Sequence, residues 1–356
     1  MKKQNAQEYA EVFKDKGNPP WLHGLYKHWM SLLEEPSKGI TSDDEAVPIL
    51  DITSAANAVI EACTKEQLSR ITYHIDSPEW RTWSNPEFLL SDKGIRLDEV
   101  TSTLRDRIME VLKATLSTQG YEKALAATRI NGFLGELVES PTIMNKFSYN
   151  FVLFIISPRF TGAEPNVIDD GPYKGTRILD VEERLGLQLM QNINVTQQSQ
   201  AQIYRDMHDK AMPKGRWNQD DQRHLCGAYR DNRVVPYEGI LVSNMEDAQK
   251  SIVEKIFEQY LLYLPDKARE IRLDNIRHWF HETYFCWIGG FADQDPFYYR
   301  LQSPVVIIEF DHHSSVFLTN SEPAKFHIHT LLRTPHAGDY GMALRALIPE
   351  KEQRFV

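Results

Sequence analysis

Apolar residues recur at three-and-four spacing through much of the first half of the chain, which predicts helices over Ser54 to Cys63, Arg96 to Ser117 and Gly120 to Leu137. In the second of these, Leu97, Val100, Leu104, Ile108 and Leu112 share one stripe, the face that such a helix buries. Residues 1–50 are different in texture. They mix Pro19–Pro20, aromatic residues and the acidic turn SDDEAVP, which predicts an irregular arm with one short helix around Trp21 to Leu33. Near Phe147 the helical period gives way to SYNFVLFIISP, a largely apolar run of strand length closed by Pro158. After a loop punctuated by glycine and proline, Asp180 to Ile193 returns to helical spacing. The polar stretch Asp206 to Pro236 has little periodicity and reads as an extended surface loop.

The last third is the most regular part. A short strand, GILVS, leads into a helix from Met245 to Tyr263, with Ser243 or Asn244 as its N-cap and Pro265 as its stop. A second helix is expected from Lys267 to Glu282. TYFCWIGG, FYYRLQ, VVIIEFDH and KFHIHTLL follow as strands, separated by turns rich in Gly, Asp, Asn and Pro. Helices first and strands later predict an α+β fold, an N-terminal helical layer packed on a mostly antiparallel sheet, rather than alternating βαβ units. The expected organisation is an irregular arm over residues 1–50 and a single α+β domain over 51–356, helical in 51–145 and sheet-bearing in 146–356.

Composition narrows the function classes. The 356 residues are 42% hydrophobic and 25% charged, ordinary values for a packed fold. A formal charge of −10 and no clustered Lys or Arg argue against a nucleic-acid partner, because such binding depends on neutralising phosphates. The three cysteines, Cys63, Cys226 and Cys286, are far apart and odd in number, so a disulfide framework is not expected and a reducing, cytoplasmic location fits. The start, MKKQNAQEYAEVF, lacks the apolar run of a secretory signal, and the sequence has no apolar stretch long enough for a membrane span.

Candidate chemistry is concentrated late in the chain. Seven of the twelve histidines fall between His278 and His336. His327 and His329 alternate on a predicted strand, so both rings project from one face about 6.6 Å apart along it, within reach of a single metal ion. In VVIIEFDHH an apolar run ends in Glu309, Asp311, His312 and His313, and regular alternation puts Glu309 and Asp311 on one face and His312 on the other. Carboxylates attached to a buried run need partners, which a cation would provide and so would Arg300 or Arg333. His278 and His281, beside Trp279 and Phe280, read as structural and buried at the end of a helix. Cys286, within an aromatic set, reads as an inert thiol. The sequence contains no P-loop, no G-x-S-x-G elbow and no G-x-G-x-x-G.

The strings FTGAEPNVID, VVPYEGILV, ETYFCWIGGF, FYYRLQSPVVIIEFDHH and FHIHTLLRTP with DYG, in this order, resemble the domain-of-unknown-function family DUF3500, its fungal branch more than its bacterial one. The resemblance runs from about Glu79 to Tyr340 and implies no established reaction. It also marks two departures. The family carries a stretch with Trp-Gly and then Gly-His-His before the strand at Ile156-Ser157-Pro158, whereas here Phe154 runs almost directly into that strand. In RTPHAGDYG, His336, Ala337 and Gly338 stand where the family tends to have Asn-Gly-Asn.

These residues support two readings. One is a metal-dependent enzyme, of hydrolase or oxygenase type, acting on a small organic molecule. Its ion (Zn, Fe or Mn) would be held by His327 and His329 with a third ligand from Glu309, Asp311 or His312, and Arg333 would hold an anionic group of the substrate. The other is a non-catalytic ligand- or partner-binding protein, or an inactive splice form of the family, in which the same residues form a structural network.

Overall fold

The computed structural model describes residues 46–73, 93–153, 159–213, 216–217, 221–227, 235–314, 317–318 and 320–335. The expected helix at Trp21 to Leu33 and the His336 to Gly338 turn lie outside the described residues. Among those residues there are eight α-helices and nine strands. The fold is the expected α+β, with helices early and an antiparallel-rich sheet in the later chain.

Helices α1 (Ile49–Ala62), α2 (Lys65–Ile71) and α3 (Ser102–Thr115) build a first, smaller core with the strand pair β1 (Ile95–Arg96) and β2 (Asn150–Phe151). Val59, Ile71, Ile95, Leu97, Leu104, Ile108 and Val111 are its buried residues. Leu97 and Val100 thus lie ahead of α3 and not on its stripe. Ile95 and Arg96 are committed to β1, and the helix starts where the Thr101 side chain accepts from the Leu104 N–H. Helix α4 (Thr118–Leu137) connects this core to the main one, placing Ile130 in the latter and pairing Lys123 with Glu182.

The main sheet has the order β3-β9-β8-β7-β6-β4, with β5 also paired to β6. Its strands are β3 (Arg159–Ala163), β4 (Gln202–Tyr204), β5 (Ile240–Leu241), β6 (Tyr284–Gly289), β7 (Phe297–Gln302), β8 (Ile307–His312) and β9 (Ile328–Arg333). Every pairing is antiparallel except β4 with β6. Helices α5 (Asp180–Asn192) and α6 (Val195–Ala201) precede β4, and α7 (Asp247–Leu261) and α8 (Asp266–His278) precede β6. The last two are shorter than their periodicity predicts. Glu246 and Gln249 form a capping box that starts α7 after Met245, and α8 ends at His278, followed by one 3₁₀ turn over Phe280–Glu282.

Strand alternation divides the sheet into two chemically opposite faces. Phe285, Trp287, Phe297, Tyr299, Leu301, Ile308, Phe310 and Ile328 project into the main core with Leu185, Leu189, Ile256, Phe257 and Ile276 from the helices. Rings stack along this face, with Tyr299 and Phe310 5.2 Å apart between centroids and nearly parallel. The register places Cys286, Tyr298, Arg300, Glu309, Asp311 and His329 on the other face, and all of them are buried. The stretch predicted as a surface loop supplies the cover. Arg216 and the run Asp221 to Cys226 are buried against the sheet, and the run supplies the donors that its own burial of the carboxylates makes necessary.

Gly186 on α5 faces Tyr299, and a Cβ added there would lie 2.3 Å from the ring. Gly186→Ala should therefore cost about 1–3 kcal/mol through overpacking, although alanine favours helix. Urea unfolding checks this, and unchanged or increased stability would show that the ring yields freely.

Candidate metal centre

His327 and His329 come from adjacent alternate positions at the start of β9, and their Nε2 atoms are 3.0 Å apart. His313 follows β8, with its backbone N–H donating to the His327 carbonyl. This puts His313 on the same face as Asp311 and beside His329, with ring centroids 3.8 Å apart. From the covering segment His224 descends on the same point. Ligand atoms of His224, His313 and His329 all lie within 4.8 Å of one another, and all three residues are buried. Across β3, Gly162 stands opposite His329 and leaves its ring room, since a Cβ there would come within 3.2 Å of it.

Buried carboxylates flank these rings. Glu309 Oε2 lies 3.7 Å from His224 Nδ1, Asp311 Oδ2 3.1 Å from His313 Nε2, and Glu164 Oε2 3.7 Å from His327 Nδ1. The first two carboxylates are already engaged by protein donors. Glu309 accepts from the Leu225 and Cys226 N–H groups at 2.8 Å and from the Tyr298 hydroxyl at 2.6 Å. Asp311 accepts from Arg223 Nε at 2.6 Å. Arg223 in turn donates to the Met207 and His312 carbonyls and to Gln222, so its guanidinium pins the covering segment to the strand. Carboxylates in such positions orient imidazoles and fix which nitrogen is free to coordinate.

The charges respond to this packing. Burial acts to lower the pKa of His224, but Glu309, Asp311 and Asp221 around it raise it above the ordinary histidine value. Burial acts to raise that of Glu309, and His224, Arg300 and the Leu225 N–H outweigh it, holding the carboxyl at about 2. His313 is pushed well below the usual range by burial and by the charge of His224 and His327, His329 likewise by burial and by the charge of His313 and His327, and His327 is lowered by burial against the pull of Glu164 and Asp311. Neutral imidazoles, favoured here at His313 and His329, are what a metal requires, and an ion at this point would displace the proton that Glu309 favours on His224.

Of the residues singled out from sequence, His327, His329, Glu309 and Asp311 meet on one face. His312 lies on the other, where its Nδ1 accepts from the Phe297 N–H at 3.0 Å and its Nε2 faces Glu183 at 3.4 Å. Arg333 is buried at the far end of β9, four residues from His329. His278 and His281 are exposed rather than buried. Burial raises the pKa of Cys286, in keeping with an inert thiol. His224 had no sequence signal, since RHLC lies in an aperiodic polar stretch. His313 had one, because alternation that sends His312 away from Asp311 returns His313 to it.

A family model described as "Protein of unknown function (DUF3500)" matches residues 45–155 and 154–342. No curated protein and no solved structure matches the chain. Among the described residues, no helix is long and apolar enough to cross a membrane.

The depressed pKa values of His313 and His329 set the sign of an acid response. Between their folded values and about 6.5 the unfolded chain binds more protons, so stability is complete above that range and falls with pH below it. His224, shifted upward, adds no slope there because it is protonated in both states. Metal-stripped protein should lose about 1.4 kcal/mol per pH unit for each such histidine below about pH 6.5, and His313→Gln should flatten the slope. Urea unfolding at several pH values with chelator present measures it, and a flat profile from pH 7 to 5 would contradict the assignment.

Proposed function

We propose that this chain, which belongs to the DUF3500 family, binds one divalent transition-metal ion through His224, His313 and His329, and uses it in hydrolase-type chemistry on a small organic molecule. The observation that carries the reading is the convergence of three buried imidazoles within 4.8 Å. Their flanking carboxylates support it: Glu309 and Asp311 are saturated with protein donors, which suits them to orienting histidines and not to ligation. Three imidazoles with one position left open suit catalytic zinc. Oxygenase chemistry fits less well, because the usual non-haem iron set needs a ligating carboxylate, and manganese prefers oxygen donors. His327, at 3.0 Å from His329, would move a proton beside the open position. When bound, the ion would act as a Lewis acid and lower the pKa of water.

A second reading has its own support. The two family-model matches meet at residues 154–155, the junction at which the resemblance implies that a Trp-Gly and Gly-His-His stretch is missing. A member lacking part of its family's chain suits an inactive form whose histidines serve structure alone.

One experiment separates the two. Protein purified without an affinity tag should contain close to one zinc or iron per chain by elemental analysis, and chelation should lower its melting temperature. At a free ion concentration a thousandfold above Kd, the bound ion adds about 4 kcal/mol of stability. His313→Ala and His329→Ala should abolish retention. Metal-free protein whose melting responds neither to chelator nor to added Zn would leave the inactive reading standing.

A further inference from the structure

On the same buried face, one strand away from Glu309, lie two guanidinium groups outside the three-histidine cluster. Arg300 extends from β7 and is 1% exposed, and Arg216 comes from the covering segment and is 6% exposed. Arg300 Nη2 donates to Glu238 at 2.8 Å and to the Pro236 carbonyl at 3.0 Å. Arg216 Nη1 donates to the Arg223 carbonyl at 2.6 Å, and its guanidinium carbon lies 5.2 Å from the centroid of the Tyr298 ring. Among the described residues, three nitrogens have no hydrogen-bond acceptor: Arg300 Nη1, Arg216 Nε and Arg216 Nη2. Among the described residues, the acidic group within ion-pair reach of both arginines is Glu238, and it comes no nearer than 4.0 Å to Arg216.

Buried N–H groups of a charged side chain are costly to leave unpaired. In Arg216 the two orphaned nitrogens, Nε and Nη2, form one edge of the guanidinium plane, the edge whose paired donors match the two oxygens of a carboxylate. Arg300 Nη1 adds a third donor. The Tyr298 ring under Arg216 fixes its plane, and Tyr298 also donates to Glu309, which flanks His224. Glu238, which bonds Arg300, is a quarter exposed, so solvent reaches the carboxylate beside this pair.

We propose that Arg216 and Arg300 form a binding site for a carboxylate group of a small molecule, with Arg216 as the bidentate clamp. As the anchor for a substrate of the metal centre, this rests on the proposed function, and its substrate is then a small organic acid. As an anion site, it stands on the guanidinium geometry alone.

The probe is sodium acetate, titrated against sodium chloride at matched ionic strength and neutral pH, with chelator present so that the metal plays no part. Acetate should give a saturable rise in melting temperature that chloride does not. Arg216→Gln, folded by circular dichroism, should weaken the response at least tenfold. Arg300→Lys, which keeps the charge, should weaken it less. Glu238→Gln, which removes the competing carboxylate, should strengthen it. Equal responses to acetate and chloride, or an Arg216→Gln protein that responds like the parent, would overturn the site. Elemental analysis reports on the metal reading separately, so either can fail without the other.

Discussion

The burial of two carboxylates in the middle of a sheet is the constraint on which the rest of this molecule depends. Glu309 and Asp311 are both fully buried on β8, one strand away from each edge of the polar face formed by β7, β8 and β9. A desolvated carboxylate costs several kcal/mol unless it is paired and hydrogen-bonded. The partners come from a segment more than eighty positions earlier: backbone N–H groups of Leu225 and Cys226 for Glu309, and Arg223 for Asp311. Docking these donors also delivers His224 to the histidines of β8 and β9. The imidazole cluster is therefore a consequence of how the charges are satisfied.

The opposite face makes this arrangement rigid. Stacked rings of Trp287, Phe297, Tyr299 and Phe310 press against helices α5 and α7, and Tyr260 on α7 reaches through to the backbone carbonyl of Glu309. Strand β9, which carries His329, and β8, which ends next to His313, are held from behind by close-packed aromatics and from the front by charge-assisted hydrogen bonds. Ligands on strands fixed from both sides keep their geometry more closely than ligands on loops. His224 is the exception, and the four donations of the neighbouring Arg223 guanidinium compensate for its place in an irregular segment.

Local pattern made the α+β class, the late strands and the pairing of His327 with His329 legible, because periods of two and 3.6 are properties of short windows. Alternation separated Glu309 and Asp311 from His312, and carried one residue further it places His313 at the centre. What the pattern could not show was non-local. The stretch from Asp206 to Pro236 lacks periodicity because its residues are positioned one by one by partners on the sheet: Arg216 by Tyr298, Arg223 by Asp311, Leu225 by Glu309. An aperiodic polar run reads as surface when its partners are not yet known. Helix ends failed for a smaller reason. Thr101 and Glu246 set the starts of their helices by capping, against the apolar residues that continue the period outside them.

The junction at 154–155, where the two matched pieces of the family meet, bears on the histidines through strand register. Strand β3 starts at Arg159, opposite Leu332, and runs antiparallel to β9 until Ala163 opposes Ile328. The chain therefore enters the sheet beside Arg333 and reaches the histidine end only at Gly162 and Ala163. Four residues of extended strand separate these points, about 13 Å. A segment inserted before β3 would join the sheet at the Arg333 end, the end away from His329. Residues from Arg159 onward keep a continuous ladder with β9, and Glu164, just beyond it, remains beside His327. The ladder with β9 thus sets the register of the histidine end, while His313 is held by the His327 carbonyl and Asp311, and His224 faces Glu309.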